Sequence, residues 1–207
     1  MSDARSAILA RIAAALADGP EPVAIPRDYR RATPPDVDLV ERFAERVADY
    51  RATVHRATGA TLGATVTQVL AERGIGTLVV PAGTPEGWLG ASDVTRLGDD
   101  PPLSHRELDA ADAVITGCAV AIAETGTIVL DAGAAQGRRA LSLLPDRHLC
   151  IVAADRIVGD VPEALARLDP RRPLTWISGP SATSDIELER VEGVHGPRVL
   201  DVVIVEG

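Results

Sequence analysis

Lysine is absent from this chain of 207 residues, so all 21 residues counted as Lys plus Arg are arginine. Without a lysine amine there is no Schiff-base nucleophile, no anchor for pyridoxal phosphate and no P-loop lysine. Asparagine is absent as well, which removes every N-glycosylation sequon. These absences, with an excess of Ala, Arg, Gly and Pro, indicate a G+C-rich coding sequence, hence a bacterial protein. Aromatic residues are only 2% of the chain and hydrophobic residues 46%, so the core must be built from aliphatic side chains.

Cysteine and histidine are also scarce. Cys118 and Cys150 are the only cysteines, and each lies beside apolar residues in a predicted strand or at its edge. This placement favours two buried free thiols in a reducing cytoplasm over a disulfide. Two cysteines cannot supply the four thiolate ligands of a usual iron–sulfur cluster. The four histidines show no close ligand spacing, so the sequence predicts no metal site in this chain.

The charge balance argues against nucleic acid and anionic membranes as partners. A net charge of -9 leaves no basic face with which to displace counterions from nucleic acid or from an anionic membrane. The N-terminal apolar positions are interrupted by arginines, which is typical of an amphipathic helix rather than a signal peptide. No apolar run approaches the roughly 18 residues of a membrane-spanning helix. We expect a soluble, cytoplasmic protein.

The pattern of apolar residues divides the chain in two. Residues 1–50 read as a helical arm, whereas residues 51–207 alternate strands with helices. Such alternation, with apolar strands, predicts an α/β domain whose mostly parallel sheet is covered by helices on both faces. The predicted elements are helices at 3–17, 36–50, 62–73 and 161–168 and strands at 53–55, 77–81, 148–154, 174–178 and 198–205.

Two apolar runs within residues 119–131 are joined by Glu124, Thr125 and Gly126, which predicts a tight hairpin with positive φ at the glycine. A carboxylate at this junction either faces a cavity, as a general base or nucleophile of raised pKa, or escapes to solvent. In either case Thr125 offers a hydroxyl, and Gly126 offers an approachable backbone.

A second candidate site is the segment W-I-S-G-P-S-A-T-S-D-I-E at 176–187. Loops that leave the carboxyl ends of parallel strands line ligand crevices, and the capping-box spacing of Ser184 and Glu187 predicts a short helix that ends before Gly193. Hydroxyls and free amides would then cradle a carboxylate or phosphate. Alternatively, Ser184 caps the helix and the other hydroxyls only satisfy the turn. The candidate ligand-binding residues are Ser178, Gly179, Ser181, Thr183, Asp185 and Glu187.

For each of three more residues, the sequence allows either a role in a site or a structural role. Arg138, in a glycine-punctuated segment, either grips a carboxylate bidentately or lies on the surface. His195, at a loop mouth, would titrate near neutrality as a site residue, although loop histidines are more often structural. Trp88 either shields a site or fills the core, and we favour the core.

Several segments, in matching order over about residues 50–207, resemble the lactate utilization protein C (LutC) type of the LUD-domain family. Several motifs in one order are more specific than any single one. The segments are E-T-G-T-I-V-L at 124–130, Q-G-R-R-A-L-S-L-L-P-D at 136–146, H-L-C-I-V at 148–152, S-G-P-S-A-T-S-D-I-E at 178–187 and G-V-H-G-P-R at 193–198.

The resemblance implies a fold akin to the sugar-phosphate isomerases and CoA transferases (NagB/RpiA/CoA-transferase-like). It also implies a part in oxidising L-lactate to pyruvate together with a cysteine-rich subunit and an iron–sulfur, ferredoxin-like subunit. Those partners would carry the clusters, and this chain would bind no cofactor of its own. The expected role is a non-redox subunit or accessory protein with an anion-binding cleft.

A different function class stays open from the residues. The chain would then be a stand-alone enzyme of the same superfamily that acts on a phosphorylated or CoA-linked metabolite, with Glu124 as base or nucleophile. From the residues, an enzyme and a non-catalytic subunit are both candidates.

Overall fold

The computed structural model describes residues 2–19, 23–28, 32–183, 191–192 and 196–207. The chain forms two compact units, Met1–Arg30 and Arg31–Gly207. The first unit contains helix α1 (Ser2–Ala15), on which Ile8 and Leu9 are more than half exposed. The helices of the second unit are α2 (Leu39–Asp49), α3 (Leu62–Glu72), α4 (His105–Ala110) and α5 (Val161–Arg167).

Most strands of the second unit join one of two larger sheets. In chain order they are β1 (Thr53–Thr58), β2 (Thr77–Val79), β3 (Thr95–Leu97), β4 (Ala113–Thr116), β5 (Val120–Ile122), β6 (Thr127–Leu130), β7 (Arg147–Ala153), β8 (Ile157–Val158), β9 (Thr175–Ile177), β10 (Ala182–Thr183), β11 (Val191–Glu192) and β12 (Val199–Glu206). The large sheet has the order β1-β12-β7-β4-β2-β3, and all of its pairings are parallel. The α/β prediction is therefore confirmed.

The small sheet was not predicted. Its order is β8-β5-β6-β9, with β5 and β9 antiparallel to β6 and with β8 parallel to β5. The strand at 175–177 was expected in the parallel sheet, and that expectation is wrong. Four strands of two to four residues are too short for a period of two to separate them from neighbouring loops.

Helix α2 belongs to the core of the second unit, although the sequence pattern assigned it to the arm. Asp38 caps it by accepting hydrogen bonds from the backbone N–H groups of Val40 and Glu41. Phe43 and Val47, four residues apart on one face, are 0% and 1% exposed. They pack in one cluster with residues of both sheets, so α2 lies between the two sheets.

The central strands of the large sheet are buried on both faces. In β12, Val202 joins the cluster that contains α2, whereas the next residue, Val203, joins a second cluster with α3. Neighbouring side chains of a strand point to opposite faces, so α2 and α3 cover opposite sides of the sheet. This double cover explains why β12 and β7 read as apolar runs without alternation. Among the described residues, no helix is long and apolar enough to span a bilayer.

Candidate functional site

The hairpin predicted around Glu124 is present. β5 and β6 pair antiparallel, and Gly126 has a φ of +59° in the turn between them. A Cβ atom on Gly126 would lie 2.8 Å from the backbone carbonyl carbon of Arg46 in α2. Only glycine lets the turn approach the helix this closely and also adopts the left-handed conformation at low cost. The turn is therefore fixed against the last turns of α2.

An open cleft of about 440 Å³ lies beside this contact. Its walls come from the end of α2 and from the hairpin turn. The lining residues are Arg46, Asp49, Tyr50, Glu124 and Thr125. Two of the five, Glu124 and Thr125, were candidates from the sequence.

The charges in and beside the cleft are balanced. Arg42 Nη1 donates to Glu124 Oε2 at 2.8 Å, and both side chains are partly exposed, at 37% and 40%. Arg46 Nη1 lies 3.4 Å from Asp49 Oδ2, a longer contact between more exposed groups. The cleft thus pairs each guanidinium with one carboxylate, and the second pair is the weaker one.

A chain of hydroxyl groups starts at the cleft. Thr125 Oγ1 and Thr127 Oγ1 are 2.7 Å apart, and Thr127 Oγ1 and Ser178 Oγ are 2.8 Å apart. Ser178 directly follows β9, which pairs with β6. The small sheet therefore brings together the two segments that the sequence proposed separately, through a bridging threonine that the sequence did not single out.

The loop after Ser178 continues along the same side. Gly179 has a φ of +79°, and a Cβ there would lie 2.6 Å from Tyr50 Cβ. The backbone N–H of Ser181 donates to Pro197 O at 2.7 Å. Thr183 lies in β10 and pairs in the antiparallel β10–β11 ladder with Val191.

Only residues 191–192 of the segment in which a helix was expected are among the described residues. The predicted helix was to end before Gly193, and it does not include residues 191–192, because these two residues form β11. Asp185, Glu187 and His195 lie outside the described residues, and their predicted roles stay predictions. The loop after Ser178 was expected to leave the carboxyl edge of the parallel sheet. That expectation is wrong, because β9 is an edge strand of the small sheet.

Arg138 is engaged within the chain rather than in the cleft. Its Nε and Nη2 donate to the two oxygens of Asp99 at 2.8 and 3.0 Å, and Nη2 also donates to Leu103 O at 2.6 Å. The hydrogen bonds to Asp99 raise the pKa of Arg138 and lower the pKa of Asp99. The bidentate grip expected for a ligand is thus made on a carboxylate of the protein itself.

At the carboxyl edge of the parallel sheet, a backbone segment at Ala135 bridges the loops after β2 and β4. After β2 the chain continues to β3 on one side, and after β4 the next strand of this sheet is β7 on the other side. Open α/β sheets usually bind ligands at such a point, where the direction of the connections reverses. Ala135 bridges the two loops: its N–H donates to Ala82 O at 2.9 Å, and its carbonyl accepts from Gly117 N at 2.8 Å. Trp88 packs against the core there, as predicted, and a Cβ on Gly117 would lie 3.1 Å from its ring.

A buried carboxylate lies toward the amino end of the same sheet. Asp201, 3% exposed, accepts hydrogen bonds from Arg73 at 2.9 and 3.0 Å and is 2.9 Å from His55 Nε2. Burial alone would raise the pKa of Asp201, but the hydrogen bonds from His55 and Arg73 outweigh it and lower that pKa. The arrangement joins β12, β1 and the end of α3.

His148 and Cys150 lie buried in β7 of the parallel sheet, whereas Cys118 lies between β4 and β5 and is partly buried. His148 Nε2 is 2.7 Å from Thr116 Oγ1, and burial lowers the pKa of His148 to about 4. Cys118 and Cys150 are free thiols, as predicted, and burial raises the pKa of both. Protonated thiols are poor metal ligands. Within the described ranges, no group of three or more His, Cys, Asp or Glu side chains could hold a metal ion.

The cleft residues from α2 were missed by the sequence reasoning. Arg42, Arg46 and Asp49 are spaced four and three residues apart, which places them on one face of the helix. The neighbouring face carries the buried Phe43 and Val47. This amphipathic pattern was the available signal that α2 packs on the domain and presents a charged edge to it.

Comparisons with known proteins give consistent matches. The sequence profile of the LUD domain matches residues 40–205. The lactate utilization protein C of Deinococcus radiodurans is 49% identical over 211 residues, which cover 99% of this chain and 96% of that protein. The lactate utilization protein C of Geobacillus kaustophilus is 32% identical over 117 residues, which cover 51% of this chain and 48% of that protein. A crystal structure of a DUF162 family protein from D. radiodurans superposes with a TM-score of 0.69 at 44% identity and covers 82% of this chain and 97% of that one.

Proposed function

The chain belongs to the LUD domain family, and from this premise we propose that it serves in lactate utilization. The supporting observation is the 49% identity to a protein named lactate utilization protein C over 99% of this chain. Nearly complete coverage at this identity leaves little of the chain for a different architecture. The proposal includes a specific role: a non-redox subunit or accessory protein of an iron–sulfur system that oxidises L-lactate to pyruvate.

Chemistry supports the non-redox part of this role. Oxidation of a 2-hydroxy acid removes two electrons, which no ordinary side chain accepts, so a redox cofactor is required. The two cysteines are too few for the four thiolates of a usual cluster, and burial raises the pKa of both. Partner subunits rich in cysteine, with clusters of their own, would therefore carry the electrons.

The cleft beside the hairpin turn is the proposed anion-binding site. It offers Arg46 and the Thr125 hydroxyl on one open surface. Glu124 does not resemble a general base in an apolar cavity, because it is 40% exposed and holds an ion pair with Arg42. A partly exposed carboxylate that a neighbouring guanidinium already engages is not free to take a proton from a ligand, so a binding role suits the cleft better than acid–base catalysis.

The subunit role is tested by purification from the native host. The tagged full-length chain is purified gently from cells grown on L-lactate, and its partners, iron and acid-labile sulfide are measured. We expect cysteine-rich proteins and iron to co-purify in a fixed ratio, and an unrelated tagged protein from the same cells serves as the control. A chain that emerges alone and free of iron from lactate-grown cells would contradict the subunit role.

The alternative function, a stand-alone enzyme, is tested by a turnover assay. If the purified chain alone converts a phosphorylated or CoA-linked metabolite, and Glu124→Gln abolishes the turnover without lowering the melting temperature, the stand-alone enzyme replaces our proposal. We expect no such turnover in the wild-type chain, since Glu124 is engaged with Arg42.

A further inference from the structure

Arg46 is the cleft residue with unused hydrogen-bonding capacity. Within the part of the chain that the structure describes, its guanidinium has one polar contact, to Asp49 at 3.4 Å, and its side chain is 43% exposed. Arg138, by contrast, spends three short bonds on Asp99 and Leu103. A guanidinium with several donors left presents the paired N–H groups that bind a carboxylate bidentately.

The opposing wall of the cleft offers groups suited to a hydroxyl. Thr125 Oγ1 begins the chain of three hydroxyls that runs through Thr127 to Ser178. Two hydrogen bonds link these three hydroxyl groups, and each bond can have either of its oxygens as the donor. Thr125 can therefore either donate a hydrogen bond to a ligand or accept one from it. Glu124, held by Arg42 at 2.8 Å, adds an acceptor of fixed position beside it.

We propose that this cleft binds a small 2-hydroxycarboxylate, with the carboxylate on Arg46 and the ligand hydroxyl between Thr125 and Glu124. The inference rests on the proposed function and names the ligand class of the same site. Arg42 is a positioning residue, because it acts on the ligand only through Glu124. The site binds the hydroxy acid without oxidising it, and electron removal belongs to the partners.

The nearby carboxylates do not prevent this binding. The Arg42–Glu124 pair is neutral as a unit, and Asp49 is 66% exposed. An arriving carboxylate therefore displaces Asp49 from a long contact into water, where it is readily solvated. The exchange replaces one weak ion pair with a bidentate one.

The test is calorimetric titration of the purified full-length chain at constant ionic strength. The ligands are L-lactate, propionate, which lacks the hydroxyl, and sodium chloride. We expect L-lactate to bind at least tenfold more tightly than propionate and chloride to show no saturable heat. Arg46→Gln should weaken lactate binding at least tenfold, whereas Arg171→Gln, which alters an 88% exposed arginine paired with Asp169, should leave it unchanged.

The contact between Thr125 and the ligand hydroxyl is tested by removing the hydroxyl group from the ligand, from the side chain and from both. Thr125→Val should reduce the preference for L-lactate over propionate to less than threefold, and Thr125→Ser should restore it. Melting temperatures of all variants establish that each one is folded. Equal affinity of the wild-type chain for lactate and propionate, or an unchanged preference in a folded Thr125→Val, would overturn the inference. The titrations do not depend on co-purification with partner subunits. A negative titration would therefore overturn the ligand class and leave the subunit role standing.

Discussion

Two acid–arginine arrangements in this molecule use the same chemistry in opposite surroundings. Asp201 lies inside the large parallel sheet with a 4% exposed side chain, and it is held by two residues, Arg73 and His55. Glu124 lies in the turn of the small sheet with a 40% exposed side chain, and one ion pair, to Arg42, holds it. Burial thus makes the first carboxylate a fixed part of the fold and leaves the second one accessible.

The difference follows from how each sheet is covered. Strands with helices on both faces admit a polar side chain only when its partners satisfy it fully, since an unpaired buried charge is costly. The exposed hairpin turn between β5 and β6 of the small sheet carries no such requirement. Its charged groups remain partly hydrated, so a ligand can replace one weak contact with another at little cost.

Removing the buried carboxylate should have the largest effect. Asp201→Asn leaves Arg73 without its ion pair beside a buried site, and we expect a loss of about 3 kcal/mol in the free energy of unfolding. Urea denaturation of the purified variant measures it. Asp169→Asn, at an exposed pair with Arg171, is the matched control and should change stability by less than about 0.5 kcal/mol. Equal effects of the two substitutions would remove the contrast between buried and exposed pairs.

The buried histidine predicts a pH dependence that belongs to the large sheet. Burial lowers the pKa of His148 from 6.5 to about 4, so between these values the unfolded chain binds a proton that the folded chain does not. The contribution of the neutral His148 to stability is therefore fully present above pH 6.5 and declines by about 2 to 3 kcal/mol as the pH falls toward 4.

This decline is measured by urea denaturation at several pH values. We expect His148→Gln to flatten the curve between pH 6.5 and 4, whereas His105→Gln, at an exposed histidine, should leave its shape unchanged. A wild-type curve that coincides in shape with that of His148→Gln would show that the buried imidazole contributes nothing to the decline.

Much of the parallel sheet was predictable because its strands carry a strong local signal. The runs at 148–154 and 198–205 were placed within about a residue of β7 and β12, since strands buried on both faces read as continuous apolar segments. Gly126 was also anticipated, because a turn between two apolar runs needs a residue that tolerates positive φ.

The cleft was only half predictable, for a physical reason. Its second wall comes from Arg46 and Asp49, which lie nearly 80 residues before Glu124 in the chain. No local pattern records that α2 packs between two sheets, and the short strand β9 carries too little periodicity to show which sheet it joins. Long-range pairing of short elements decides this site.

Two glycines with similar backbones sharpen the contrast between the site and the rest of the fold. Gly126 and Gly74 have φ values of +59° and +64°, but a Cβ would meet the Arg46 backbone only at Gly126, and it would meet nothing within 4 Å at Gly74. Gly74→Ala should cost about 1 kcal/mol from backbone conformation alone. Gly126→Ala should cost about 1 to 2 kcal/mol more, because the turn must move away from α2. Equal losses in thermal unfolding would mean that the turn is not fixed against the helix.

The smallest expected effect on stability is at the exposed carboxylate itself. Glu124→Gln removes a partly exposed ion pair with Arg42, and such pairs contribute about 0 to 1 kcal/mol, so the melting temperature should stay nearly unchanged. Lactate affinity should nevertheless fall severalfold, because the amide retains the shape but loses the charged acceptor beside Thr125. Titration and thermal unfolding of the same preparation give both values. Substitution of a residue that serves the fold lowers stability, as we expect at Asp201, whereas substitution of a residue that serves a ligand lowers binding with little loss of stability. If Glu124→Gln lowers stability as much as Asp201→Asn, the turn is a structural staple and not a binding site.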